Sequence, residues 1–309
     1  MTVTRRELGK LMLTAPMAGL LPRELFAGWQ ARPNSKWAGV QVGLNVPYNF
    51  GGSRDVPSDE VLAKTLELGA SAVELRSQPV EVSMGKPLPQ PGQDQKAAAE
   101  ALRAWRLKAD LSKAAAIRKK WNDAGVAIEI LKYDGIYNFT DPEMDYAFGL
   151  AKALGVKAIS TELEVEGAKR VGTFADKHGV KVGYHGHTKT TPAMFAEAFA
   201  AAKHNWANID IGHWVAGNLG NPVDYIKQHH DRITHIHVKD RKKGDGTTDG
   251  PNTPFGEGDT PIKDVLRLIR DNKYPIQATI EFEYKVPDGS DRMKEIAKTI
   301  QYCKDALAG

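Results

Sequence analysis

Five histidines and a matching number of carboxylates stand at the ends of short apolar runs in the second half of the chain. STELE carries Glu162 and Glu164, YHGH carries His185 and His187, NIDIGHW carries Asp210 and His213, THIHVKD carries His235, His237 and Lys239, and IEFEY carries Glu281 and Glu283. Imidazole and carboxylate together form the ligand set of a divalent Mn, Co, Zn or Fe ion, and one too rich in nitrogen for Ca. Cys303 is the sole cysteine, so a thiolate site and an intramolecular disulfide are both excluded. Side chains alternate along a strand, and one member of each close pair is expected to point inward. On that reading His235 packs outside the sheet, while His178, His204, His229 and His230 fall on helices or their ends and are expected to be solvated.

Such a set works only if successive strands deliver it to one rim. From Trp37 onward, apolar runs of strand length alternate with amphipathic helical stretches, the pattern of repeated βα units on a parallel sheet. The strand runs are VQVGLN, SAVELR, GVAIEIL, VKAISTELE, VKVGYHGH, NIDIGHW, THIHVKD and QATIEFEY. Their number and spacing predict an α/β (β/α)8 TIM barrel, one domain over 37–309, in which chemistry belongs at the C-terminal strand ends. One basic helix is expected from about Ala97 to Trp121. Long loops are expected over Gln78–Gln95, with its prolines, and over Arg241–Thr260. GLNVPYNFGG after the first strand lacks the spacing of a dinucleotide or phosphate fingerprint.

The first 27 residues read as an address rather than as structure. TRRELGK precedes the short apolar run LMLTAPMAGLL and the small residues Ala27 and Gly28, which resembles a twin-arginine export signal and implies a periplasmic or extracellular protein. The run is shorter than the roughly 20 residues of a bilayer span, so no membrane anchor is expected once the signal is removed. The net charge of +4 falls to +2 without that segment, too small and dispersed for nucleic-acid binding. Association of identical copies is left open.

The segments YHGH, Asp210-x-x-His213, HIHVKD, FGEGD at Phe255 to Asp259, and IEFEY together resemble the xylose isomerase-like TIM barrels, the sugar phosphate isomerase and epimerase superfamily. The resemblance covers most of the barrel and is specific for the superfamily, not for a substrate. It implies that Asp210 and His237 are metal ligands, that Glu281 is ligand and base, and that His213 touches a substrate oxygen. Ketose 3-epimerases of this superfamily carry a glutamate ligand on strand five, where this sequence has His185. The resemblance thus implies a metal set of Asp210, His237 and Glu281, completed by His185 or by Glu162 reaching in from strand four as replacement ligand and second base. His187, His213, Trp214, Lys239 and Arg241 are the candidate substrate contacts. The arginine expected six residues past the strand-seven ligand is absent: Lys243 stands there and Arg241 lies four on.

A divalent ion that chelates a carbonyl and its neighbouring hydroxyl acidifies the C–H between them, and a carboxylate in reach removes the proton. Isomerisation, epimerisation and β-elimination share that step; a metal-dependent sugar isomerase or epimerase is the expected activity, with a keto-glycoside lyase or hydrolase of the same fold as the alternative. Export favours a free sugar, a glycoside or a keto-glycoside over a sugar phosphate, with Trp37, Tyr48, Phe50, Trp214 and Phe255 as candidate stacking surfaces. A trinuclear zinc site of the endonuclease IV kind is disfavoured, because no histidine follows His237. The rival from another class is a sugar-binding barrel without catalysis.

Overall fold

The computed structural model describes residues 32–309 apart from Pro91. The expected export segment, residues 1–27, lies outside the described residues.

Eight parallel strands close on themselves: β1 (Val40–Val46), β2 (Ala72–Arg76), β3 (Ala127–Lys132), β4 (Ala158–Glu162), β5 (Lys181–His185), β6 (Asn205–Asp210), β7 (Ile233–Val238) and β8 (Gln277–Ile280). Each strand pairs with its sequence neighbour, and β8 pairs with both β7 and β1, which completes the ring. The fold is the expected (β/α)8 barrel. Lys36–Trp37 adds a short antiparallel extension to β1, and Asp240–Arg241 pairs with Asn252–Thr253 as a small hairpin above β7.

The helices are α1 (Ser58–Glu67), α2 (Ser77–Met84), α3 (Gln95–Arg106), α4 (Ser112–Asp123), α5 (Asp141–Leu154), α6 (Val165–His178), α7 (Pro192–Ala201), α8 (Ile211–Ala216), α9 (Pro222–His229), α10 (Ile262–Asn272) and α11 (Arg292–Ala308). Two expectations change. The stretch after β2, read as loop, opens with α2, which buries Val80 and Met84 and ends at Gly85. The single basic helix is two, α3 and α4, because Asp110 breaks it by accepting the backbone N–H of Ser112 at 2.9 Å.

Why the barrel keeps its shape follows from the alternation within each strand. In ITHIHV, Ile236 and Val238 are buried toward the helices, while His235 and His237 reach Glu74 on β2. β7 and β2 are not neighbours in the ring, so that contact passes through the barrel interior. The same parity sends Ile209 outward and Asn208 and Asp210 inward, and Ile280 outward with Thr279 and Glu281 inward. The outer faces and the helices form one apolar core that includes Leu44, Leu75, Trp121, Phe148, Ile209, Ile236 and Ile280. The lumen is polar.

Residues two apart lie on one face of a strand, so the expectation that close pairs split between faces is corrected. Both His235 and His237 are fully buried inside the barrel. Strand β6 also ends earlier than NIDIGHW suggested: Asp210 closes it and caps α8 by accepting the His213 N–H at 2.7 Å. His213 is therefore a helix residue that leans back over the rim.

Gly212 makes that turn possible. A Cβ there would stand 2.4 Å from Lys239 Cγ and 2.9 Å from the Lys239 carbonyl oxygen. Gly212→Ala is expected to lower the unfolding free energy by about 1–3 kcal/mol through overpacking, to be measured by urea denaturation.

Candidate metal centre

The C-terminal rim gathers His185 from β5, Asp210 from β6, His237 from β7 and Glu281 just past β8, each offering a ligand atom within 4.8 Å of the others, and all four are buried. The parallel register sets Asp210 opposite His237, and His237 opposite Thr279, two residues before Glu281. His237 Nδ1 lies 3.3 Å from Glu281 Oε1 and 3.8 Å from Asp210 Oδ2. Both His237 Nδ1 and Asp210 Oδ2 are buried without a hydrogen-bond partner among the described residues. Orphaned polar atoms that converge in a closed lumen are expensive unless something binds them, and two imidazoles with two carboxylates have the donor set of a divalent transition-metal ion. The residues present fit that ion.

The surroundings orient each group. Glu74, fully buried on β2, approaches His237 Nε2 at 2.5 Å and His235 Nε2 at 3.4 Å. The first distance is a hydrogen bond, and it leaves Nδ1 of His237 for the centre, the arrangement by which a carboxylate fixes a ligating imidazole. Asn45 donates to Glu281 Oε1 at 2.8 Å, and Asn208 Nδ2 lies 3.4 Å from His185 Nδ1. None of Glu74, Asn45 or Asn208 was foreseen from sequence. The available signal was a carboxylate or amide inside an apolar strand run, as in AVELR.

Lys239, a candidate substrate contact, stands among the carboxylates. Its Nζ lies 2.6 Å from Glu281, 2.6 Å from Glu283 and 3.1 Å from Asp210, and the side chain is buried. The Asp210 approach is close without being aligned as a hydrogen bond. Burial opposes ionisation of Glu281, but Lys239 and His237 outweigh it and hold the carboxyl well below the usual range. Burial, with Glu281 beside it, raises the Asp210 pKa, and Lys239 and His237 only partly counter that. His213 stands between Lys239, 3.0 Å from Nε2, and Arg241, 2.6 Å from Nδ1. Burial and Lys239 push its pKa down to about 3, so the ring is neutral.

Glu162 is placed outside the four-residue group. Its Oε1 accepts from Lys132 at 2.6 Å, its Oε2 lies 2.6 Å from His187 Nε2, and His185 Nε2 is 4.0 Å away. His187 follows β5 in a loop, with its ring centroid 4.7 Å from that of His213. Of the expected substrate contacts, His187, His213, Lys239 and Arg241 come together at the rim. Trp214 does not: it is buried and packs on Tyr225, ring centroids 4.5 Å apart. Trp37 lies by Lys304, Phe50 by Lys64 and Phe255 by Tyr302; among these aromatics Tyr48 approaches the centre, donating to Glu283 at 2.6 Å.

A closed eight-stranded barrel with imidazoles and carboxylates at its C-terminal rim defines a class, and the comparison with known families agrees. Residues 62–306 match the model of the xylose isomerase-like TIM barrel, and the chain belongs to that family. An inosose dehydratase of Clostridium botulinum is 25% identical over 191 residues, which is 56% of this chain and 58% of that protein. The chain thus spans little more than half the length of that curated relative. Among solved structures, a xylose isomerase domain protein from Planctomyces limnophilus aligns with a TM-score of 0.60 at 17% identity, covering 87% of this chain and 97% of that one. The 3-keto-D-glucoside 4-epimerase from E. coli aligns at 0.52 with 15% identity, covering 87% and 98%. Both share the fold. Of the three proteins, the first is named for a dehydration and the last for an epimerisation. Among the described residues no helix is long and apolar enough to cross a membrane.

Two measurements check the centre. Glu74→Gln is expected to weaken divalent-metal binding about 10- to 100-fold, read by titration calorimetry. In the metal-free protein burial disfavours the His237 imidazolium, but Glu74 and Glu281 beside it raise its pKa to about 10. A cation must displace that proton, so apparent affinity is expected to rise about tenfold per pH unit between pH 7 and 9, one proton being released per ion. A pH-independent affinity contradicts this.

Proposed function

We propose that the protein is a divalent-metal-dependent enzyme that takes a proton from the carbon beside a carbonyl of a sugar or keto-glycoside and completes the reaction by eliminating the group on the next carbon. The observation that carries the reading is the convergence of His185, Asp210, His237 and Glu281 in a buried lumen. An ion held there would supply Lewis acidity to the substrate carbonyl and lower the pKa of the neighbouring C–H.

Glu281 is the base. Lys239 and His237 keep it ionised, and Asn45 fixes the direction of its Oε1. Neutral His213, with Arg241 donating to its Nδ1 and Lys239 3.0 Å from its Nε2, is held at the mouth within reach of a substrate oxygen. Across the ring, β4 faces β8, and Glu162 there has both oxygens engaged, one by Lys132 and one by His187. Glu162 so held positions His187. The bond to Glu162 raises the His187 pKa above the usual imidazole value, so the exposed ring keeps a proton to give to a departing oxygen. One base and one acid on opposite flanks suit elimination, and dehydration, the reaction in the name of the relative above, is that elimination with water leaving.

Isomerisation or epimerisation is the second reading. It is favoured by the partial exposure of Glu162, 39% at the side chain, within 4.0 Å of His185, from where a carboxylate can return the proton on the opposite face. Export by the twin-arginine route, resting on TRRELGK and LMLTAPMAGLL, belongs to the proposal and places the substrate outside the cytoplasm.

The metal-loaded protein, incubated in D₂O with free sugars and 3-keto-glycosides, is expected to release the leaving group and, by reprotonation before elimination, to label the carbon beside the carbonyl in the remaining substrate. Glu281→Gln should abolish both while preserving the fold, and Asp210→Asn should lower metal affinity about tenfold or more. An epimer with the glycosidic bond intact selects the second reading. A protein with no stoichiometric ion and no exchange is a binding barrel instead.

A further inference from the structure

Beside the centre lies a recess of about 480 Å³, within the range of small-molecule sites, lined by Tyr48, Arg54, Asn252, Phe282, Glu283 and Arg292 among others. It shares a wall with the centre. Glu283 accepts from Lys239 on Oε2 and from Tyr48 on Oε1, each at 2.6 Å, so the residue that borders the recess is bonded to the lysine that touches Glu281.

The lining is polar and held in place. Arg292 donates one Nη1 bond to the Asn49 carbonyl at 3.0 Å and lies 5.0 Å from the Phe282 ring centroid. Arg54 donates to Asp134 at 2.9 Å. A guanidinium has five donors, so each keeps several. Asn252 supplies the opposite character: its Oδ1 is a buried acceptor with no hydrogen-bond partner among the described residues, on a residue that lines the recess. At Gly52 a Cβ would meet nothing within 4 Å, so the wall stands open there.

These features separate the ligand classes. A carboxylate or phosphate uses the guanidinium donors but offers no proton to Asn252. An aromatic or aliphatic group satisfies neither, and the rings of Tyr48 and Phe282 already carry Arg76 at 4.9 Å and Arg292 at 5.0 Å. A polyhydroxylated ring donates and accepts at once. We propose that the recess is a subsite for a second hydroxylated ring, and that the substrate is a glycoside of at least two rings rather than a free sugar. The inference rests on the proposed reaction in one respect, that the first ring occupies the metal centre.

Binding of glucose, trehalose, cellobiose, lactose and glucuronate to the metal-loaded full chain tests it by calorimetry, beside the variants Asn252→Ala and Asn252→Trp. At least one disaccharide should bind about tenfold more tightly than glucose, the scale of one or two added hydrogen bonds. Asn252→Trp, which fills the recess, should erase that preference, and the milder Asn252→Ala should reduce it, with metal stoichiometry kept at the native value as the check on folding. The subsite is refuted if no disaccharide binds better than glucose, if the preference survives Asn252→Trp, or if glucuronate outbinds every disaccharide. Failure of the reaction is read separately: a preserved disaccharide preference without deuterium exchange on any keto-sugar sinks the chemistry and leaves the subsite standing.

Discussion

The structure turns on how charge is balanced inside a closed barrel. Asp210, Glu281 and Glu283 meet beside a single buried ammonium, that of Lys239. Removing an ion from water costs several kcal/mol unless a partner repays it, and one lysine does not neutralise three carboxylates. His237 carries part of the deficit in the metal-free chain, and its Nδ1 and the Asp210 Oδ2 still lack hydrogen-bond partners among the described residues. A dication is the simplest occupant that settles this account and uses both atoms. Lys239 then remains as the tether between Glu281 and Glu283.

The supporting contacts reach farther than the rim. His237 is gripped from below by Glu74, a residue 163 positions earlier in the chain, and Glu281 is steered by Asn45, 236 positions away. Closure of the ring makes these partners adjacent, since β1 and β2 complete the circle that β7 and β8 begin. Most of the barrel's polar lumen therefore serves orientation, while the apolar outer faces of the same strands secure the helices. A strand such as AVELR does both with alternate residues.

Much of this was legible from sequence. Eight strand runs between helical stretches predicted the ring, and spacing such as His185-x-His187 or Glu281-x-Glu283 marked the strand ends. Parity was misjudged, because residues two apart share a face; His235 therefore lies within the lumen. The split of the basic helix depended on a local cap by Asp110, and α2 formed where prolines suggested a loop. Glu74 and Lys132 carry no decisive signal of their own in the sequence, since a charge in a central strand acquires meaning only when the ring brings its partner opposite. Trp214 was placed by pattern at the mouth, but the helical turn begun at Asp210 rotates it into contact with Tyr225.

The hairpin above β7 links two regions that otherwise look separate. Arg241 and Asn252 are cross-strand partners in it. One holds the His213 imidazole and the other borders the outer recess. They are held by strand pairing rather than by a flexible tether, which fixes their positions relative to one another. On the proposed reading, the hairpin ties the outer recess to the imidazole at the centre, so whatever seats at the periphery bears on how His213 is aimed.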